Sequence, residues 1–218
     1  MTGRFIVFEG PDGSGKTTQI KLLSEKLAGL GYRVLCTREP GGTAISEKIR
    51  GILLDPANSE LCSQTEAFLY AAARCQHVQE FIMPRLQEGN IVICDRFADS
   101  TLAYQGYGRQ LDLGFLKDIN SKATGELFPD LTVLIDIRPE EGLKRIRQNR
   151  VGIGSADVDR IEQEELSFHR RVREGFLALA RENPSRYIIV DGEKDIAELG
   201  LQIYSQTRDK LNLQGCRQ

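Results

Sequence analysis

Long apolar runs are missing from this sequence of 218 residues. None approaches the roughly 18 consecutive apolar residues that a membrane-spanning helix needs, so we predict no contact with a membrane. The first residues, Met1 to Arg4, also lack the pattern of a signal peptide and lead directly into an apolar segment. These absences predict a cytoplasmic protein.

Paired cysteines and clustered histidines are absent as well. The five cysteines are odd in number and no two have C-x-x-C spacing, which argues against both a disulfide framework and a zinc site. Cys36 and Cys94 lie in apolar runs, and we predict that both are buried thiols. His77 and His169 fall in predicted helices, where we assign them no role as a base or a metal ligand.

An excess of positive charge is lacking too. The 29 lysines and arginines face 31 aspartates and glutamates, which gives a net charge of −2. A protein that grips a nucleic-acid backbone through bulk charge is normally basic, so we predict no nucleic-acid polymer as a partner. Any anion-binding site must therefore be local. The length and the ordinary apolar content of 40% suit one α/β domain over residues 1–218.

Five short apolar runs alternate with helical patterns along the chain. They are continuously apolar, which is typical of strands in a parallel sheet covered on both faces. The runs are Phe5–Phe8, Arg33–Cys36, Ile91–Cys94, Leu131–Ile135 and Tyr187–Val190. This alternation predicts a doubly wound, five-stranded α/β fold.

Helical periodicity fills the intervals between these runs. Apolar residues at positions 20, 23, 27 and 30 share one helical face, and Gly31 ends that helix. Pro84 is expected to kink or restart a later helix. The other predicted helices cover residues 64–83, 139–149, 158–182 and 194–211. A polar segment with two glycines, residues 147–160, is predicted to be a mobile loop.

Residues 10–17 read GPDGSGKT and match the pattern G-x-x-x-x-G-K-[ST] between a predicted strand and a predicted helix. Glycines let backbone N–H groups surround an anion, and the helix N-terminus adds positive potential. Lys16 is expected to reach the β- and γ-phosphates of a nucleotide, and the Thr17 hydroxyl to bind Mg²⁺. The alternative is a glycine-rich turn before an ordinary helix. The predicted phosphate site comprises Gly10, Pro11, Asp12, Gly13, Ser14, Gly15, Lys16, Thr17 and Thr18.

Other features of the sequence distinguish between the classes of protein that have such a phosphate loop. Asp95 ends an apolar strand and is predicted to be a second Mg²⁺ ligand, with a solvated helix cap as the alternative. The guanine-reading pattern N-K-x-D is absent, which argues against a GTPase. Each of Arg38, Arg74 and Arg96 alone is more often a surface cation, but together at one crevice they favour a second phosphate site.

Four further segments resemble the bacterial thymidylate kinase family. Residues 37–43 read TREPGGT and are similar to the family's loop after its second strand. Residues 95–106 (DRFADSTLAYQG), 123–132 (ATGELFPDLT) and 159–162 (DRIE) are similar to three later family motifs, in the same order. The resemblance implies a P-loop NTPase fold with strand order 2-3-1-4-5 and transfer of a phosphoryl group from ATP to thymidylate (dTMP) with Mg²⁺. It also implies a homodimer.

The resemblance also implies a substrate site. Arg38 and Arg96 would hold the dTMP phosphate, Arg74 would hydrogen-bond the thymine edge, and Asp12 would approach the sugar 3′-hydroxyl and the metal. Tyr70 would stack on the base where the family usually has phenylalanine, Thr101 and Gln105 would contact the base, and Tyr104 would pack where a 2′-hydroxyl would sit. The alternatives are a core aromatic for Tyr70 and a loop hydrogen-bonding residue for Gln105.

The resemblance finally implies where the catalytic arginines lie. Members with an arginine inside the phosphate loop carry it where this sequence has Gly13, so the arginines of a lid over residues 147–160 are expected to neutralise charge instead. The candidates are Arg147, Arg150 and Arg160, and the alternative is a solvated loop. Two other functions stay open: a kinase for another nucleotide or nucleoside, and a regulatory ATPase that binds a protein.

Overall fold

The computed structural model describes residues 3–149 and 159–214, and a parallel sheet of five strands forms its centre. The strand order is β2-β3-β1-β4-β5, which confirms the predicted fold and the implied order. The strands are β1 (Arg4–Glu9), β2 (Val34–Arg38), β3 (Ile91–Asp95), β4 (Leu131–Asp136) and β5 (Tyr187–Asp191).

The register of the central strands explains where a site can form. Phe8 of β1 pairs with Asp95 of β3, and Glu9 pairs with Leu134 of β4. Because all the strands are parallel, their carboxyl ends meet at one edge, and the loops that follow β1, β3 and β4 gather there.

Helices cover both faces of the sheet. Apolar residues of α1 and α9 pack with the inner residues of β1, β4 and β5, and those of α8 pack on the opposite face. The helices are α1 (Lys16–Gly29), α2 (Ala44–Leu54), α3 (Ser63–His77), α4 (Met83–Gln87), α5 (Ala98–Thr101), α6 (Leu113–Thr124), α7 (Pro139–Asn149), α8 (Leu166–Glu182) and α9 (Ile196–Leu211). Two π-helical segments, Val78–Ile82 and Leu102–Gly108, join neighbouring helices.

Helices α2, α5 and α6 were not predicted, although α2 and α6 have cap signals in the sequence. Helix α2 begins after Thr43, whose hydroxyl oxygen accepts the N–H of Ser46 at 3.4 Å. Helix α6 begins after Asp112, whose carboxylate accepts the N–H of Phe115 at 2.7 Å. Such caps satisfy N–H groups that have no partner within the helix.

One predicted helix is too long, and another is interrupted where the sequence indicates. The prediction over 158–182 is wrong before Leu166, because Asp159 Oδ1 accepts the N–H groups of Ile161 and Glu162 at 2.9 Å and holds a turn. The helical stretch predicted over 64–83 is confirmed, because α3 continues through the π-helical segment Val78–Ile82 into α4. The restart expected at Pro84 is also confirmed: Pro84 lies in the first turn of α4, where its missing N–H costs no hydrogen bond.

The position of a strand within the sheet decides whether its cysteine is buried or exposed to solvent. Cys94 lies on the interior strand β3 and is buried as predicted. The prediction for Cys36 is wrong: β2 is an edge strand, and its thiol is exposed. Within residues 3–149 and 159–214, no helix has the length and apolar character needed to cross a membrane.

Candidate active site

The phosphate loop lies between β1 and α1, and the ammonium group of Lys16 is enclosed by oxygen atoms of this loop. Lys16 Nζ donates to the carbonyl oxygens of Gly10 at 3.1 Å and Pro11 at 3.0 Å, and to Ser14 Oγ at 3.3 Å. Burial and the nearby Arg96 charge together lower the pKa of Lys16 to about 8, although the neighbouring carboxylates oppose this shift. A bound anion would therefore stabilise the protonated, charged form of Lys16.

Close packing explains why the loop has no side chain at position 13. Gly13 has a φ of 73°, and a Cβ added there would lie 2.2 Å from the carbonyl oxygen of Gly142 in α7. A residue with a side chain, arginine included, would have to push the loop away from α7.

The two predicted metal ligands are in direct contact. Thr17 Oγ1 donates to Asp95 Oδ2 at 3.0 Å, which joins the start of α1 to the end of β3. A hydroxyl and a carboxylate are oxygen ligands that suit Mg²⁺. No cluster of three or more His, Cys, Asp or Glu residues occurs in the described part of the chain, so phosphate oxygens and water would complete such a site.

Asp12 and Arg96 stand where two cavities meet. The outer cavity, of about 650 Å³, is lined by Asp12, Arg96 and residues 13–18 of the phosphate loop. The inner cavity is lined by the same two residues, by the predicted base-contacting side chains Tyr70, Arg74, Thr101 and Gln105, and by Tyr104, which was predicted to pack against the sugar. Two ligand compartments thus share one boundary.

The boundary is held by strong hydrogen bonds. Arg96 Nη2 donates to Asp12 Oδ1 at 2.6 Å, and the Tyr104 hydroxyl donates to Asp12 Oδ2 at 2.7 Å. Burial alone would raise the pKa of Asp12, but Arg96, Lys16 and the Tyr104 hydrogen bond outweigh it and lower that pKa. Asp12 is therefore a carboxylate that orients Arg96 and Tyr104.

Glu9 holds the residues that follow Arg96 in place. The sequence analysis did not identify it as a site residue. Its buried carboxylate accepts the N–H of Phe97 at 2.9 Å and the hydroxyl of Ser100 at 2.6 Å. Those bonds hold the backbone after Arg96, which has a φ of 72°, a left-handed conformation that is rare for a residue with a Cβ. Burial raises the pKa of Glu9 to about 7, although the Arg96 charge opposes the shift.

Arg74 is almost wholly enclosed on α3. Its Nε donates to Glu39 Oε2 at 2.7 Å, and Nη1 donates to Thr101 Oγ1 at 3.0 Å and Asn120 Oδ1 at 2.6 Å. Nη2 donates to the carbonyl oxygen of Phe97 at 3.1 Å. Neither Glu39 nor Asn120 was identified as a site residue from sequence, although Glu39 lies within the TREPGGT segment.

Gln105 and Tyr70 complete the inner cavity wall. Gln105 Nε2 donates to the buried carboxylate of Glu66 at 2.7 Å. Tyr70 lies one turn before Arg74 on α3, and burial together with Glu66 raises the pKa of its hydroxyl, which therefore stays protonated.

Two of the predicted arginines, Arg38 and Arg147, line neither cavity. Arg38 pairs with both oxygens of Glu47 at 2.9 and 3.0 Å and lines neither cavity. Arg147 is exposed on α7, and Arg150 lies outside the described residues.

The structure also differs from the lid prediction at Arg160. This residue is buried, where its guanidinium pairs with Glu66 and donates through Nε to the carbonyl oxygen of Leu53 at 3.1 Å. These bonds keep Arg160 out of the outer cavity, so in this arrangement it does not occupy the catalytic position predicted for it.

Two arginines that were not predicted line the cavities instead. Arg145 of α7 borders the outer cavity and donates to the carbonyl oxygen of Gly192 at 2.9 Å. Arg50 of α2 borders the inner cavity and donates to the carbonyl oxygen of Pro40 at 2.8 Å. Their sequence positions carry no motif, so only the packing of α2 and α7 identifies them.

Known proteins share both the sequence and the fold. A family model described as thymidylate kinase matches residues 8–203. A thymidylate kinase of Geobacter sp. (strain M21) is 48% identical over 213 residues, covering 98% of this chain and 95% of the relative. One from Pelobacter propionicus is 53% identical over 211 residues, covering 96% of each chain. The crystal structure of thymidylate kinase from Ehrlichia chaffeensis has 34% identity and a TM-score of 0.75, covering 95% of this chain and 99% of that one. This chain belongs to the thymidylate kinase family.

Proposed function

We propose that this protein transfers the γ-phosphoryl group of ATP to dTMP and so forms ADP and dTDP. The observation that carries the proposal is the shared boundary of Asp12 and Arg96 between the phosphate-loop cavity and the cavity lined by base-reading side chains. Phosphoryl transfer requires the donor and acceptor phosphates to meet in line, and this boundary offers one such meeting point.

The chemistry needs positioning and charge neutralisation more than a base. The acceptor is a phosphate oxygen that is already ionised, so no proton has to be removed before attack. Lys16 would neutralise charge on the donor phosphates, and Arg96 would hold the acceptor phosphate while Asp12 fixes its guanidinium.

We propose Mg²⁺ as the metal, with Thr17 and Asp95 as the residues that hold it, because their oxygens already lie together beside the phosphate loop. When bound there, Mg²⁺ would supply positive charge to the β- and γ-phosphates. Thr17 and Asp95 join α1 to β3, so they also keep the loop and the Arg96 segment in register.

The remaining charge would come from arginines near α7. We keep the proposal that Arg147 and Arg150 of the lid segment serve the transferring group, and we add Arg145 because it lines the outer cavity. We also propose that Arg38 leaves its ion pair with Glu47 and binds the acceptor phosphate instead. Exposed ion pairs are weak, so this exchange costs little.

We also propose that residues 1–218 act as one catalytic unit, that two copies form a homodimer, and that the enzyme works in the cytoplasm where ATP is available. The dimer proposal rests on exposed apolar side chains that α2 and α3 present to solvent, namely Ile45, Ile52 and Phe68.

A coupled assay of ADP release tests the function. ATP and Mg²⁺ are offered with each deoxynucleoside and ribonucleoside monophosphate in turn, and dTMP is expected to give the highest kcat/KM. The variant Lys16→Ala should lose most of this activity and stay folded, since the hydrogen bonds that the Lys16 ammonium makes within the described residues all go to the phosphate loop. ADP release that does not depend on any acceptor would contradict the proposal and favour a regulatory ATPase.

A further inference from the structure

Thymine and cytosine differ mainly in hydrogen-bond polarity along one edge. Thymine presents a carbonyl acceptor at C4 beside an N3–H donor, whereas cytosine presents an amino donor at C4 beside an N3 acceptor. A pocket distinguishes them strongly only when its own groups cannot exchange donor for acceptor, because a mismatched base then leaves buried polar groups unpaired.

Arg74 supplies a donor that cannot reverse. A guanidinium has five N–H groups and no acceptor. Four hydrogen bonds hold Arg74 to Glu39, Thr101, Asn120 and Phe97, and among the described residues the second N–H of Nη2 has no acceptor. That N–H, on the wall of the inner cavity, suits the C4 carbonyl of thymine.

Two neighbouring polar groups on the wall, those of Thr101 and Gln105, are able to act as donors or as acceptors. The Thr101 hydroxyl both donates and accepts, so it adapts to either base. A glutamine amide has a donor end and an acceptor end, and a rotation about its last bond exchanges them. Gln105 therefore discriminates only if its amide is locked.

Glu66 provides such a lock behind Gln105. The Glu66 side chain is wholly buried, and its carboxylate pairs with both Arg109 and Arg160. A carboxylate held by two guanidinium groups only accepts hydrogen bonds, so the amide nitrogen of Gln105 must face it, at 2.7 Å. The amide oxygen is the end that remains for the inner cavity, which Gln105 lines.

We propose that Glu66 is a specificity-determining positioning residue, which locks the Gln105 amide with its acceptor toward the base and so selects the N3–H of thymine over the N3 of cytosine. This inference rests on the proposed function, because it takes dTMP as the ligand of the inner cavity. Arg109 and Arg160 take part by keeping Glu66 an acceptor.

The test compares kcat/KM for dTMP with kcat/KM for dCMP. In Glu66→Gln the new amide donates as well as accepts, so Gln105 is free to turn, and the dTMP/dCMP ratio should fall roughly tenfold to a hundredfold. The fall should appear mainly as a higher KM for dTMP and a lower KM for dCMP. An unchanged ratio in folded Glu66→Gln would overturn the proposal.

Glu164→Gln is the matched control. It removes the other carboxylate that pairs with Arg109 but leaves the contact between Glu66 and Gln105 in place. We expect it to retain the wild-type ratio. If both variants lowered the ratio equally, loss of the arginine pairing would be the cause and the lock would be refuted.

A swapped pair keeps the test decisive if Glu66→Gln fails to fold. In the double variant Glu66→Gln/Gln105→Glu, residue 105 is acceptor-only again and the number of charges is unchanged, so selection of dTMP over dCMP should return to within about threefold of wild type. A folded swap that does not prefer dTMP would overturn the lock. If wild type itself shows no preference for dTMP, the proposed function fails, which the wild-type assay reports separately.

Discussion

At the scale of single residues, buried carboxylates organise this site. Glu9, Glu39 and Glu66 each lie beneath a functional side chain and accept hydrogen bonds that fix its position. Glu9 and Glu66 line neither cavity, so their effects pass through Arg96 and Gln105, whereas Glu39 holds Arg74 and also lines the inner cavity itself. Their removal should therefore change geometry and pH dependence before it changes the chemistry itself.

The first prediction concerns the pH dependence of stability. Burial raises the pKa of Glu9 from 4.5 to about 7, so the folded state binds a proton that the unfolded state releases between these values. The stabilisation this gives is fully present below pH 4.5 and is lost as pH rises through 7, and it amounts to about 3 kcal/mol. Glu9→Gln should flatten that part of the profile.

Urea unfolding of wild type and Glu9→Gln at pH 5 and pH 8 measures the effect. The exposed Glu47→Gln serves as the control and should keep the wild-type slope. If the free energy of unfolding changed equally with pH in wild type and in Glu9→Gln, Glu9 would have the same pKa in the folded and unfolded chains.

The second prediction concerns ATP binding by Lys16, whose pKa burial lowers to about 8. The protonated fraction falls from about 0.9 at pH 7 to about 0.1 at pH 9, so the Kd for ATP should rise about tenfold over that range. Calorimetry measures this, and Lys16→Met should bind weakly with no such dependence. A wild-type Kd that stays flat to pH 9 would place the pKa of Lys16 higher.

At the scale of elements, the π-helical segment Leu102–Gly108 and α8 pack closely. A Cβ added at Gly175 of α8 would meet the Tyr107 ring and its Cβ at 2.7 to 2.8 Å, at the root of that side chain. This contact positions Tyr104 and Gln105, because both belong to the same π-helical segment.

The third prediction follows from that contact. Gly175→Ala should lower the free energy of unfolding by about 1–3 kcal/mol, since α8 and the π-helical segment would have to separate. Gly29→Ala is the control: no atom lies within 4 Å of a Cβ there, and alanine favours the helix. Chemical denaturation compares the two, and equal stabilities would mean that the segment gives way freely.

The fourth prediction separates the lid arginines by their kinetic effects. Arg150→Ala should lower kcat at least about tenfold with little change in the KM for dTMP, because its charge would act in the transition state. Arg160→Ala should instead raise the KM for dTMP, since Arg160 pairs with Glu66 behind the inner cavity. Steady-state kinetics with dTMP varied decide between them. A large loss of kcat in Arg160→Ala alone would assign the catalytic charge to that residue.

At the scale of the whole molecule, the exposed apolar side chains of α2 and α3 form a face with α6. Phe68 is 52% exposed and meets Phe115 of α6 edge to face at 5.5 Å. Ile45 and Ile52 are exposed on α2, which packs against α3. Such a patch is typical of a protein–protein interface.

The fifth prediction is that this face joins two copies. Wild type should show twice the 24.4 kDa monomer mass by light scattering at micromolar concentration. Phe68→Asp should give the monomer mass, because a charge would be buried without a partner. Leu201→Asp, on an exposed side chain of α9, which packs with α1 and β5 rather than with the face, should leave the dimer intact. A wild-type mass near 24.4 kDa would contradict the prediction.

The sequence alone determined the parts of this protein whose physics is local. Continuous apolar runs marked all five strands, because strands covered on both faces admit few polar residues. The phosphate loop was identified because its glycines, lysine and threonine must be neighbours in sequence to surround an anion. The helix caps Thr43 and Asp112 are equally local signals, and they mark the starts of α2 and α6 in the sequence.

Tertiary structure decided which charges meet. The sequence shows three arginines at positions 145, 147 and 160, but only the packing of α7 places Arg145 on the outer cavity, and only the approach of residues 159–165 to α3 pairs Arg160 with Glu66. The same packing brings Glu66 behind Gln105 from 39 residues away. Burial and ion pairing depend on neighbours distant in sequence, so residue type and spacing alone do not specify them.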